Sequence, residues 1–185
     1  MELHQHWRET PQPELEPAKV QIGWREKTFW VFAQLTDKDI INSATRLNEE
    51  TYKLGDTFEV FIADKRLPHY LELHVSPFNQ QMQLWVPRAK HSHEDGEWQT
   101  HFIDEPIFQS WTQVIRGENC WRVLAAVPFA ELAGEESIQS GVEWLCSFSR
   151  YDYTTGQKRP ILSSTSLHRK LDFHRQKEWR TMVFC

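Results

Sequence analysis

The chain has 185 residues and a mass of 22.1 kDa, the size of one domain, and such a domain buries roughly 70% of its unfolded surface without help from a metal or disulfide. Lys+Arg number 21 against 26 Asp+Glu, a formal charge of -5, which argues against a nucleic-acid or anionic-membrane partner because both need clustered base. No apolar run approaches the roughly 18 residues of a membrane span, so the chain reads as soluble.

The start, Met1-Glu2-Leu3-His4-Gln5-His6-Trp7, has neither a basic nor an apolar signal region. The sequence leaves the location open: a cytoplasmic one is the expectation as it reads, and an exported one if a signal has been trimmed away. Residues 1–17 end in a Pro-rich stretch, Pro11 to Pro17, and read as an extended lead-in to one domain that fills the whole of 1–185.

From there the periodicity is two. Val20 to Trp24 and Phe29 to Leu35 flank a short polar link, Arg25 to Thr28, and predict a hairpin. Thr36 to Ile41 allows one helical turn. Phe58, Val60 and Ile62 alternate with Glu59 and Phe61; Leu71, Leu73 and Val75 alternate with Tyr70, Glu72 and His74. Ser76-Pro77-Phe78-Asn79 is a turn signal, after which Met82, Leu84 and Val86 alternate with Gln83 and Trp85. Trp111 to Ile115, Trp121 to Val127, Trp144 to Phe148 and Met182 to Phe184 complete the strands. Pro128 to Ala133 predicts a short helix that opens on Pro and stops at Gly134. Many short strands at spacings of about 8–12 residues give an all-β fold: a two-sheet antiparallel sandwich, jelly-roll-like, with one or two short helices.

Catalytic motifs are missing: there is no G-x-S-x-G elbow, P-loop, G-x-G-x-x-G or H-E-x-x-H. Cys120, Cys146 and Cys185 form no metal or disulfide pattern. Glu59 and Glu72 lie on consecutive strands and offer a carboxylate pair of the kind glycoside hydrolysis uses, although a solvated strand face is the commoner origin of such a pair. His91 and His93 with Glu94 and Asp95, and His4 with His6, lack the third spaced ligand of a zinc site. Asp37 and Asp39 make a lone D-x-D, a weak calcium signal.

The polar faces of the middle strands say more. Tyr70, Glu72 and His74 share one face, and Glu59 and Phe61 before them and Gln83 and Trp85 after them are expected to extend it. Rings mixed with hydrogen-bonding groups suit a sugar, whose C–H faces stack on rings while its hydroxyls take charged or amide partners. The same mixture would also fit the inside of a second layer. Both readings stand at this point.

Gly55-Asp56-Thr57-Phe58-Glu59-Val60-Phe61-Ile62, followed by Tyr70-Leu71-Glu72-Leu73-His74-Val75-Ser76-Pro77, resembles the D-x-x-E-x-F and Y-x-E-x-x-x-x-P strands of family 9 carbohydrate-binding modules and the wider DOMON-like group. Trp30 to Ile40 resembles the early strand that ends in D-x-D-I, Trp121 to Phe129 the W-x-V-E-x-A-I-P-W strand, and Trp144 to Arg150 the W-R-x-N-F-x-R strand. Asp172-Phe173-His174-Arg175 with Trp179 resembles the closing motif. The resemblance implies a β-sandwich that binds a sugar end without catalysis, with Glu59 touching ligand, Tyr52 in place of a platform Trp and Arg150 as the strand Arg. It also implies a structural calcium ion in some members and no other cofactor. Ser147 replaces the motif's Asn, Ile161 to Ser166 brings no second Trp, and Arg175-Gln176-Lys177 replaces the Pro-Glu step. The expected ligand set is therefore Tyr52, Glu59, Tyr70, Glu72, His74, Trp85 and Arg150. The alternatives are a scaffold or protein-interaction domain whose sugar site has decayed, and a haem-binding DOMON-type domain with Met82 or Met182 as axial ligand.

Overall fold

The computed structural model describes residues 1–88, 98–133 and 140–185, and the candidate ligands His91, His93, Glu94 and Asp95 lie outside them. In chain order the strands are β1 (Ala18–Arg25), β2 (Thr28–Thr36), β3 (Thr57–Asp64), β4 (His69–Val75), β5 (Gln81–Pro87), β6 (Gln109–Ile115), β7 (Cys120–Pro128), β8 (Glu143–Asp152), β9 (Ile161–Ser164) and β10 (Arg180–Val183). Two short helices, α1 (Thr51–Leu54) and α2 (Phe129–Ala133), accompany them.

The strands form two antiparallel sheets. One runs β1-β2-β7-β6; the other runs β10-β8-β3-β4-β5, with β9 pairing β8 beyond the end of β10. The alternation seen in the sequence explains the first core. Val31, Ala33 and Leu35 of β2 and Trp121, Val123 and Val127 of β7 point inward, toward Phe58, Val60 and Ile62 of β3 and Leu71 and Leu73 of β4. This is the expected all-β, two-sheet sandwich.

A second buried cluster lies on the far side of the larger sheet. Phe61, Ala63, Tyr70, Met82, Leu84 and Val86 meet Phe173 and Trp179 there, with Trp7, Tyr52, Trp98 and Phe102 packed around them. That face is therefore an interior, covered by segments remote in sequence.

Two local readings change. The stretch after β2 is not a helical turn, because Asp side chains take its backbone donors: the Asp39 N–H donates to Asp37 Oδ1 at 2.9 Å and the Ile41 N–H to Asp56 Oδ2 at 2.6 Å. The lead-in is woven into the fold. Glu2 pairs with Lys19 and His4 with Ser164 as isolated antiparallel bridges, and Leu3 is buried in the main core. No helix among the described residues is long and apolar enough to cross a membrane.

Candidate functional site

Strand register decides which predicted residues meet. Glu59 of β3 lies directly opposite His74 of β4, with Phe61 opposite Glu72. His74 Nε2 is 2.8 Å from Glu72 Oε1 and 3.3 Å from Glu59 Oε1, and its Nδ1 lies 3.4 Å from Thr51 Oγ1. Tyr70 Oη is 2.7 Å from His174 Nδ1, which stands 3.7 Å from Glu72 Oε2. Burial pushes the Glu59 carboxyl up to about 8, against the pull of His74 and with a further push from Glu72. Burial alone would lower His74, but Glu59 and Glu72 outweigh it and hold the imidazole above its ordinary value. The group is an interior proton-sharing network, and Glu59, Tyr70, Glu72 and His74 are each no more than 3% exposed. It does not line an open hollow. The space beside this face, where a sugar would lie, is filled by the chain's own rings, since Tyr52 sits edge-on to His74 at 5.8 Å and Tyr151 lies 5.5 Å from Tyr52.

Trp85 and Arg150 are on the opposite face. Val75 pairs with Gln81 across the turn, so Met82, Leu84 and Val86 share the side of His74, Glu72 and Tyr70, and Trp85 turns toward the main core. There it packs edge-on against His69 at 4.5 Å. Arg150 follows the inward parity of Trp144, Cys146 and Phe148 on β8. Its Nη2 lies 3.1 Å from Asp37 Oδ2 and 3.2 Å from Asp152 Oδ1, all three residues being buried.

Among the described residues two groups bring ligand-type atoms within 4.8 Å of one another, Glu59/Glu72/His74 and Glu16/Asp37/Asp152, and in principle either has donors for a cation. Calcium takes six to eight oxygens. The first group offers an imidazole already paired to both carboxylates. The second has the Arg150 guanidinium on two of its three carboxylates, and the Trp121 Nε1–H also donates to Asp37 Oδ2 at 3.2 Å. In each set a neighbouring cation already shares the charge, so an ion bound there would compete with His74 or Arg150 for the carboxylate oxygens.

An open concavity lies just outside the buried network. A groove of about 780 Å³ is lined by the rings of Trp7, Tyr52, Tyr151 and Tyr153, together with Leu162 and Leu171. Tyr151 and Tyr153 alternate at the end of β8, and a turn closed by the Gln157 N–H to Thr154 O, at 2.9 Å, carries Gln157, Lys158 and Arg159 to its margin. Tyr153 is fixed twice: its N–H donates to Asp56 Oδ1 at 2.7 Å and its Oη to the Tyr52 carbonyl at 2.8 Å. Tyr52 Oη donates to Glu50 Oε1 at 3.0 Å, and Lys53 Nζ sits 5.5 Å from the Tyr52 ring centroid. Burial raises both Tyr52 and Tyr151, so they remain neutral phenols. Trp7 packs edge-on against Phe173 at 6.1 Å, and Tyr151 meets the same ring at 6.0 Å. The strap that carries Trp7 is pinned by Gln5, whose Nε2 donates to Gln12 Oε1 at 2.9 Å and to the Leu162 carbonyl at 2.8 Å.

Of the predicted ligands, only Tyr52 borders this groove. Trp7, Tyr151, Tyr153 and Arg159 were not anticipated. The alternation Tyr151-Asp152-Tyr153 past the end of a strand, and the basic pair Lys158-Arg159 after Gly156, are the signals that mark them.

No protein-family model matches the chain, and no curated protein sequence matches it. Solved structures do share its fold. A presumed carbohydrate-binding protein of Bacteroides uniformis superposes with a TM-score of 0.76 at 11% identity, over 100% of this chain and 85% of that one. A family 9 carbohydrate-binding module of Caldicellulosiruptor kristjanssonii, in complex with cellotriose, gives 0.66 at 15% identity over 98% of this chain and 80% of the other. The same organism's family 9 module in complex with glucose gives 0.65 at 14% identity over 94% and 79%. The chain has the β-sandwich fold of carbohydrate-binding modules of the family 9 type.

Proposed function

We propose that the chain is a non-catalytic carbohydrate-binding domain whose sugar lies in the groove between Trp7, Tyr52, Tyr151 and Tyr153. The observation that carries this reading is the groove itself: four anchored rings beside the amides of Gln12 and Gln157, in a space the size of an ordinary ligand pocket. Ring faces take the C–H faces of a pyranose, and amide and charged groups take its hydroxyls. The fold shared with modules solved on cellotriose and glucose supports it. Hydrolysis is disfavoured, because Glu59 and Glu72 are sealed under rings where no glycosidic bond can reach them.

An array of oligosaccharides followed by calorimetry tests the proposal. Trp7→Ala or Tyr52→Ala is expected to weaken binding about tenfold or more, the usual cost of removing a central ring anchor. Trp111, half-exposed and stacked on Trp30 across the outer face of the other sheet, is the control, and Trp111→Ala should leave affinity unchanged. Binding that survives Trp7→Ala and Tyr52→Ala but is lost with Trp111→Ala would move the site to that outer face. No binding of any oligosaccharide at millimolar concentration would end the proposal.

A further inference from the structure

The groove is unlike the rest of the molecule in charge. The chain as a whole is acidic, at -5, yet the groove is bordered by Arg8, Lys53, Lys158 and Arg159 against a single carboxylate, Glu14. Lys53 is committed, being ion-paired to Glu50. Among the described residues Arg8, Lys158 and Arg159 have no ion-pair partner, although the surface elsewhere pairs many of its cations, as with Lys38 and Glu16, Lys65 and Glu143, and Arg175 and Glu178. Three uncommitted cations around one ring-lined groove are a field that attracts anions in a molecule that otherwise repels them.

Their backbones are held in place. Arg8 N–H donates to the Gln5 carbonyl at 3.0 Å, within the strap that Gln5 pins to Leu162. Lys158 and Arg159 follow the turn at Gly156, whose φ of +85° is a left-handed value suited to glycine, and Pro160 leads them directly into β9. Ordered backbone lowers the entropy cost of bringing these side chains to a ligand. Guanidinium groups present a planar fork that matches a carboxylate or sulfate in two parallel hydrogen bonds.

Resting on the carbohydrate reading above, we infer that the ligand is an anionic oligosaccharide, one whose sugar units carry carboxylate or sulfate groups. The rings hold the pyranose faces while Arg8, Lys158 and Arg159 take the acid groups. A single-stranded nucleic acid also combines rings with anions. It suits this chain less well, because a chain of net charge -5 lacks the extended run of clustered base that a phosphate backbone takes.

Calorimetric titration with trigalacturonate, a sulfated chondroitin tetrasaccharide, cellotriose and oligo-dT distinguishes these cases, the two acidic sugars separating carboxylate from sulfate. At low salt one acidic oligosaccharide is expected to bind at least about tenfold tighter than cellotriose, equivalent to about 1.4 kcal/mol. The gap should narrow as salt rises. Lys158→Gln with Arg159→Gln, both on exposed side chains, should close it without moving the melting temperature. Cellotriose binding as tightly as both acidic sugars overturns this inference and leaves the carbohydrate reading standing. Tighter binding of oligo-dT than of any sugar overturns it in favour of nucleic acid, and binding of none of the four overturns it too, the carbohydrate reading falling with it only where the whole oligosaccharide array is silent.

Discussion

At Gly55 the backbone takes φ +147°, and a Cβ there would stand 2.3 Å from the Ile41 carbonyl oxygen and 2.5 Å from Asn42 Cα. Those contacts are backbone, so nothing nearby can swing aside. Gly55→Ala is expected to cost on the order of 2–4 kcal/mol, strain and overpacking together, measured by urea unfolding. Arg150 is a second such position. Its guanidinium lies between Asp37 and Asp152, and burial raises both carboxyls despite it, Asp152 to about 7. Arg150→Met removes the cation and leaves two buried acids facing each other, at a loss on the order of 3–5 kcal/mol. Replacing Asp37 and Asp152 by Asn in the same background should restore most of that stability, because the isolated charge rather than the missing pair is what costs.

At the level of strands and loops, the alternation of β2, β3, β4 and β7 was legible because one face of each is plainly aliphatic. The side on which β5 places Trp85 was not. It depends on Val75 pairing with Gln81 across the turn, and shifting that register by one residue would put Gln83 and Trp85 in place of Met82, Leu84 and Val86 on the face of Glu72. Nor does alternation reveal exposure when both faces of a sheet are covered. Glu59, Glu72 and His74 look like a solvated or ligand-facing row, and the segments that roof them, Trp98 to Phe102 and Phe173 to Trp179, lie far along the chain. Ser147, which breaks the family-like motif, is also an interior residue: its Oγ is 3.2 Å from Ser164 Oγ and accepts from Ser166 Oγ at 2.8 Å. Small hydroxyls thus fill the space beside β9 where the motif would lead one to look for a ring. The strap carrying Trp7 was hidden for another reason, since its extended, proline-bearing composition is that of a disordered end, and the contacts of Glu2, Leu3, His4, Gln5 and Trp7 that hold it down reach residues far along the chain.

For the molecule as a whole, the buried acids set the pH response. Glu59 and Asp56 are pushed up to about 8, from ordinary values of 4.5 and 3.8, and Asp152 to about 7, in each case chiefly by burial. The folded chain therefore keeps protons that the unfolded chain has already released, and unfolding gives them up. Their contribution to stability is complete below the unfolded values and is lost as pH rises through 7 and 8. His74, also raised, acts in the same direction above 6.5. His168 is lowered by burial and acts the other way below 6.5, while Glu49 and Glu178, held near 2 by hydrogen bonds from Thr45 and Arg175, lose their contribution only in stronger acid. The expected outcome is greatest stability near about pH 5, falling by a few kcal/mol toward about pH 8 in urea melts. Glu59→Gln, which holds no titrating proton, should flatten that slope.

The groove's walls come from Trp7, Tyr52, Tyr153 and Leu171, positions spread from the first residues of the chain nearly to its last. No fragment that stops short of residues 7–171 contains the whole groove. A guest that touches all four fastens the two ends together much as a cross-link would, and its binding energy accrues only to the completed molecule. On the proposed reading, recognition and folding share one cooperative transition, so partly folded copies of the chain would pass the ligand by.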